Sequence, residues 1–495
     1  MNWILDNRQS LGPFLPEMVL TGGALVTLLM GAFLPNSRRS VFWVAILSLL
    51  TFLGFSFALL VNPPPPPTIF SGAISADSFA VFFKIFFGIV TIFTAFFSVR
   101  SRELEEYPPA ELLSFLLALT LGMSMMAAST DLLMMFLSLE MVSVLSYVLV
   151  GYKAANRASS EAGLKYILYG GVASGVMVFG FSFLFGLVGS TDFVHLTTYF
   201  RMIHDPAASM IVFFSLLCVL AGLGYKMATF PTQMWCPDVY EGAPIPVTTF
   251  LSVGPKAAGF AMAIRFFYSV FSVHDGRGVP VFEQLHWGTL IAVVSAVTMT
   301  VGNLAAIPQR NLKRMMAYSS IAHAGYMLMA FATLTREGIE AILFYLITYL
   351  LMNLGAFFVI LVVSNELKTE EIEGYRGLGW RAPILAVLFV VFLCSLIGLP
   401  PFAGFIGKLY LFSAVINRGM YWLAGVAALN TVVSLFFYFR VVKAMFLEEP
   451  TDRSPIRVGA FHKGMLILLA VPTLILGIYW KPIWLFAAQS VGTFF

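Results

Sequence analysis

Apolar residues run along the chain in long blocks, interrupted at short intervals by charged, proline or glycine clusters. The blocks fall near 16–35, 40–62, 75–98, 110–129, 131–151, 162–188 and 208–229. A second set lies near 245–270, 286–306, 315–334, 338–363, 382–416, 420–444 and 464–486. A helix needs roughly 20 mostly apolar residues to cross a bilayer's hydrocarbon core, and the blocks match that length. The pattern predicts an all-α polytopic membrane protein with about fourteen transmembrane helices.

The connectors are short, and the proline run at 63–67 can only be extended, since it lacks backbone donors. No polar stretch is long enough for a domain outside the membrane. The first block is too long for the apolar core of a cleavable signal. It is followed by Pro35-Asn36-Ser37-Arg38-Arg39 rather than by small residues, so it reads as a retained helix.

Composition sharpens this reading. Of 495 residues 59% are apolar and 11% charged, against about 25% charged in an ordinary soluble chain. A soluble enzyme, a nucleic-acid binder and a disordered chain are excluded. The formal net charge of +4 is too small to suggest a polyanionic partner. Cys218, Cys236 and Cys394 are widely spaced, so no Cys/His cluster marks an iron–sulfur, haem or zinc site. Neither a phosphate-binding glycine loop with its lysine nor a dinucleotide fingerprint occurs. The energy source is therefore expected to be an ion gradient or a partner protein.

The position of the charges matters more than their sum. Seventeen Lys and Arg fall after odd-numbered blocks, among them Arg38, Arg102, Lys153, Arg314, Lys368, Arg381 and Arg457. The opposite side holds Arg8, Arg201, Arg277, Arg336, Arg418 and Lys481. Cytoplasmic loops concentrate such residues, which predicts both termini on the outer, periplasmic side.

Two blocks are broken. The seventh ends in Gly222-Leu-Gly-Tyr-Lys-Met-Ala-Thr-Phe-Pro231, with Pro237 beyond, and the twelfth reads Ile397-Gly-Leu-Pro-Pro-Phe-Ala-Gly-Phe-Ile-Gly-Lys408. Proline removes a helical hydrogen bond and glycine lets the chain bend. Each break stands beside a lysine, and the two are five blocks apart. Interrupted segments at corresponding positions point to a repeat-built transporter with a midplane site. The expected organisation is a single transmembrane domain: three helices in 1–100, a first repeat over 110–270, an inverted second repeat over 286–446, and a last helix at 464–486. The repeats are helices 4–8 and 9–13, with helices 7 and 12 broken.

Charges inside the blocks are the candidate chemistry. Each costs about 2.5–3.5 kcal/mol at a helix centre unless paired or hydrated. An amine stripped of water gives up its proton more readily, while a neighbouring carboxylate holds it. Glu140 lies near mid-depth, Lys226 and Lys408 at the two breaks, and Lys256 directly after Pro255. Lys165 and Tyr169, and likewise Ser319 and His323, share helix faces four residues apart. The reading is a row of ionisable groups crossing the protein parallel to the membrane. Lys165 also suits a pair with Glu161 at the interface, and His323 a helix contact. Lys84 and Arg265 read as helix-end or snorkelling residues, and Gly171-x-x-x-Gly175 as helix packing.

The same residues carry a family resemblance. Lys226-Met-Ala-Thr-Phe-Pro-Thr-Gln-Met-Trp-Cys-Pro-Asp-Val-Tyr-Glu-Gly-Ala-Pro-Ile-Pro-Val247, followed by Phe250-Leu-Ser-Val-Gly-Pro-Lys256, resembles the signature of the N subunit (chain 2) of respiratory complex I. Lys313-Arg-Met-Met-Ala-Tyr-Ser-Ser-Ile-Ala-His-Ala-Gly-Tyr326 fits it too, as does Phe136-Leu-Ser-Leu-Glu140 followed by Ser146-Tyr-Val-Leu-Val-Gly-Tyr152. The related M and L subunits and Mrp-type antiporters usually carry Ala-His where this chain has Asp238-Val239, and Leu-His where it has Leu251-Ser252. The M subunit has glutamate in place of Lys408, and the L subunit a long lateral helix beyond the point where this chain ends. The first three helices, absent from animal mitochondrial versions, favour the bacterial inner membrane over an organellar one.

The resemblance implies an antiporter-like, proton-translocating, non-redox subunit of NADH:quinone oxidoreductase. It implies a Glu140–Lys226 ion pair, Lys256 as connecting lysine, Lys408 as terminal lysine, and Lys165 and His323 as auxiliary members. It expects no cofactor on this chain; quinone, NADH, FMN and iron–sulfur clusters belong to partner subunits, and M-type and K-type subunits are the neighbours. The competing readings are a subunit of an Mrp-type sodium/proton antiporter and a structural membrane-arm scaffold.

Overall fold

The computed structural model describes residues 7–34, 38–64, 68–203, 205–271, 286–450, 452–456 and 458–494. The connector positions 35–37 and 65–67, and the basic residues Arg277 and Arg457, lie outside the described residues.

Helices fill the expected blocks. The first half contains α1 (Leu15–Phe33), α2 (Arg38–Val61), α3 (Ser78–Val99), α4 (Pro109–Ala128), α5 (Leu132–Val150), α6 (Arg157–Val188), α7a (Pro206–Met227), α7b (Trp235–Gly242) and α8 (Ile245–Phe271). The second contains α9 (Trp287–Ala306), α10 (Leu312–Phe331), α11 (Arg336–Leu367), α12a (Pro383–Ile397), α12b (Ala403–Asn417), α13 (Tyr421–Leu447) and α14 (Ala460–Ile478). Among the described residues twelve helices are long and apolar enough to cross a membrane. Outside that set stand α10, whose Lys, Arg, Ser and His residues make it polar, and the halves α7b, α12a and α12b, which are short. Below the proline run, β1 (Thr68–Ile69) pairs antiparallel with β2 (Ile74–Ser75), a hairpin that the apolar pattern did not announce.

The polar connectors do more than separate helices. Asp77, Asp131, Asp205, Asn311 and Thr335 each accept a backbone N–H from the first turn of the helix that follows. These caps satisfy donors that a helix leaves unpaired at its start. In α6 the Asn156 cap starts the helix earlier than the apolar block does.

The layering explains where a buried site can form. The core window of α8 is 100% buried, while α10 and most of α11 are enclosed beside it. Helices α1 and α2 are largely exposed at the periphery. The α12 break is set locally by Gly398, whose φ of +89° ends α12a in the left-handed region. At Gly404 the second half approaches so closely that a Cβ would stand 1.8 Å from the Ser395 carbonyl oxygen.

Two sequence expectations change. Lys84 and Arg265 do not snorkel, because the helices that carry them are enclosed. Lys84 Nζ lies 2.7 Å from Glu17 Oε1, with both side chains buried. Arg265 is buried against Asp77, donating Nη2 to Oδ1 at 2.7 Å and Nε to the Ala127 carbonyl at 3.0 Å. The final block at 464–486 is also divided: α14 stops at Ile478, and a short helix, Lys481–Ser490, begins with Pro482 in its first turn.

Candidate functional site: a buried row of lysines

The two helix breaks hold two lysines in different ways. Lys226 lies in the last turn of α7a and is buried. Its Nζ donates to Ser143 Oγ at 3.1 Å, and Ser143 is three residues from Glu140 on α5. Glu140 is within electrostatic reach of the amine, but no contact within 4 Å joins them, so the direct pair implied by the resemblance is absent here. One Glu140 oxygen, Oε1, is buried with no hydrogen-bond partner among the described residues.

Lys408 has a carbonyl as its partner. From α12b its Nζ donates to the Ile397 oxygen at 2.8 Å, the last residue of α12a. A helix C-terminus leaves carbonyls unpaired and carries partial negative charge, so the broken helix is itself a cation-binding group. The amine also lies 4.4 Å above the Tyr326 ring, a geometry in which a cation is attracted to the ring face.

Between them, α8 and α10 carry the middle of the row. Lys226 Cβ is 3.4 Å from the Cβ position of Gly259, one turn from Lys256 on α8. Lys256 is buried and donates to Ser320 Oγ at 2.5 Å, with the Cys236 thiol at 3.7 Å and the Tyr240 ring at 5.4 Å. Ser320, His323 and Tyr326 recur every three residues along α10, so one face of that helix runs from Lys256 towards Lys408. His323 is buried, with Nδ1 2.6 Å from the Tyr345 hydroxyl and Nε2 3.4 Å from that of Tyr438. It lies within electrostatic reach of both Lys256 and Lys408. Tyr438 in turn bonds Ser319.

Lys165 is elsewhere. It is half-exposed and bridges Glu161 at 2.9 Å and Asp238 at 2.8 Å. Asp238 also binds Arg314, which reaches Glu241 at 2.7 Å. This cluster ties α6 to α7b and α10, and Lys165 touches no member of the buried row. The pairing with Glu161 is therefore present, and Asp238 adds a partner that the spacing did not supply.

Ser143, Ser320, Tyr326, Tyr345, Tyr438 and Cys236 line the row without having been singled out as members from sequence. The three-residue spacing of Ser320, His323 and Tyr326 along one helix was the available signal for two of them. Tyr345 and Tyr438 come from α11 and α13, and nothing local links them to His323.

This arrangement, enclosed amines among hydroxyls and an imidazole next to two broken helices, sits in an antiporter-like membrane fold. The family described as NADH:quinone oxidoreductase/Mrp antiporter, transmembrane region, matches residues 129–434, and the chain belongs to that family. Within it the full-length likeness is to N subunits: it is 42% identical to NADH-quinone oxidoreductase subunit N of Anaeromyxobacter sp. (strain Fw109-5), over 99% of this chain and 98% of the relative. Among solved structures, a chain of respiratory complex I from Thermus thermophilus is similar with a TM-score of 0.79 and 28% identity, covering 96% of this chain and 99% of that one. A chain of the Mrp complex from Dietzia sp. shares the fold, with a TM-score of 0.82 at 21% identity over 98% of this chain and 97% of that one.

Proposed function

We propose that this chain is the N-type membrane subunit of a respiratory NADH:quinone oxidoreductase and moves protons through the row Glu140, Lys226, Lys256, His323 and Lys408. The observation that carries the reading is the enclosure of three lysines, Lys226, Lys256 and Lys408, none with a carboxylate within 4 Å among the described residues. A static structural lysine in such a place would be expected to have a carboxylate partner, as Lys84 has.

Electron transfer elsewhere in the complex changes the electrostatics at one end of the row. When the Glu140 charge moves away from Lys226, the amine loses the field that holds its proton and releases it towards Lys256. Ser320, His323 and bridging water carry it along α10 to Lys408. There the Ile397 carbonyl and the Tyr326 face receive the charge, and release to the other side follows. Backbone unwound at the two breaks can be hydrated there without facing lipid. Moving one charge against about 150 mV requires roughly 3.5 kcal/mol, within reach of one changed ion-pair distance in a partly dry site.

Lys165, held by Glu161 and Asp238, anchors α6 to α7b beside the first half and is an auxiliary residue rather than a proton station. We place both termini on the outer side of a bacterial inner membrane, from the Lys/Arg asymmetry, and count the α12 pair and α10 as spans, giving fourteen. Helices 4–8 and 9–13 are taken as inverted repeats. M-type and K-type subunits are the proposed neighbours, and the redox groups are assigned to partner subunits.

Gentle purification of a tagged chain tests the assignment. It is expected to bring down flavin- and iron–sulfur-containing subunits. Recovery with antiporter-type membrane subunits alone, free of flavin, would favour the Mrp-type reading that the Dietzia fold likeness keeps in view.

A further inference from the structure

A polar cavity of about 520 Å³ opens on the Arg/Lys-rich face, lined among others by Glu103, Ile245, Asn311 and Glu370. Its floor is the start of α8. Glu103 Oε1 accepts the Ile245 backbone N–H at 2.6 Å, and buried Lys313 spans the Ala243 carbonyl at 2.8 Å and Glu370 at 3.0 Å. From Ile245 to Lys256 is eleven residues, roughly 16 Å along the helix axis.

That stretch of α8 carries a hydroxyl on nearly every turn. Thr249 Oγ1 donates to the Ile245 carbonyl and Ser252 Oγ to the Thr249 carbonyl, each at 2.7 Å. Lys256 follows Ser252 by one turn. Both hydroxyls are fully enclosed, and donating to backbone leaves each oxygen free to accept. From α11, Asn353 donates Nδ2 to Ser252 Oγ at 2.5 Å, while its Oδ1 is buried with no partner among the described residues. A buried amide oxygen left unpaired in the middle of an apolar helix is a group that an internal water satisfies. A helix-packing clamp needs the Nδ2 bond and gains nothing from the orphaned oxygen.

We infer that Ser252 and Asn353 form the polar neck of a proton inlet running along α8 from this cavity to Lys256. The inference rests on the relay reading and extends it. The row then takes protons from the basic face at its centre as well as at the broken helices. Asn353 is a positioning residue: it holds water next to Ser252 one turn from the amine and does not itself touch Lys256.

The test uses the complete complex in liposomes, measuring proton pumping in H2O and in D2O. Asn353→Leu fills the neck with an apolar side chain of similar size, whereas Asn353→Ser keeps a hydroxyl and room for water. Pumping is expected to fall at least tenfold in N353L, with a larger deuterium isotope effect because passage through the inlet becomes rate-limiting. N353S is expected within about threefold of the unaltered complex. If N353L fails to assemble, Ser252→Ala, which removes one oxygen, replaces it, with at least a threefold fall expected. Unchanged pumping in the assembled variant overturns the inlet, as does an equal fall in N353L and N353S with no change in isotope effect, the outcome of a packing clamp. Lys226→Ala in the same assay separates the claims. If it is slow while N353L is fast, only the inlet fails; if it pumps normally, the relay reading fails and takes the inlet with it.

Discussion

Asp77→Ala is expected to abolish accumulation of the folded chain. Asp77 caps α3 through Ala80 N at 2.8 Å and is also the carboxylate partner of buried Arg265. Losing an N-cap costs about 1 kcal/mol. Leaving a guanidinium enclosed without its counter-charge costs about 3–5 kcal/mol. Together these approach the whole stability of a typical domain. The guanidinium is buried, packed against the rings of Phe79 and Phe494, at 4.9 and 5.3 Å. The double variant Asp77→Ala/Arg265→Met, which removes both charges, should recover much of the loss because only the cap and packing terms remain. Membrane levels and thermal unfolding in detergent read the effect; a single variant as stable as the unaltered chain would refute it.

A methyl group at position 398 is expected to cost the protein its pumping without preventing assembly. Gly398 has φ +89°, so Gly398→Ala strains the backbone by roughly 1–2 kcal/mol. Its Cβ would also stand 2.8 Å from Lys408 Cδ and 3.5 Å from Cε. That contact pushes the amine off the Ile397 carbonyl, one of two groups that hold it. A fall of tenfold or more in pumping is the expected result. Gly419 supplies the control: its φ is +80°, and a Cβ there meets nothing within 4 Å. Gly419→Ala should share the stability loss and keep the pumping. Equal pumping in the two variants would mean that the position of the Lys408 amine does not matter.

Much of the fold was legible because a membrane imposes one length on every span. The breaks in α7 and α12 were legible because glycine and proline act locally. Lys226, Lys256 and Lys408 stood out because an ionisable group in an apolar block has few explanations. What escaped depended on pairs far apart in sequence. Asp77 and Arg265 are 188 positions apart, and no periodicity connects them. Depth misled for Lys84 and Arg265, since distance from a helix end does not reveal which helices surround it. Lys165 shows the converse: it lies within an apolar block, yet its face of α6 meets Asp238 at a half-exposed edge. Asn353 was passed over because an amide carries no charge, although a buried amide still needs hydrogen-bond partners.

The account stands or falls on whether these enclosed groups carry the translocated protons. Proton pumping by the assembled complex in liposomes, compared across Glu140→Ala, Lys226→Ala and Lys408→Ala, is the most direct measurement. Each variant should assemble, and each should lose most of its pumping together with turnover. Pumping at the unaltered rate in all three would contradict the relay and leave those side chains as passive residents of a helical bundle.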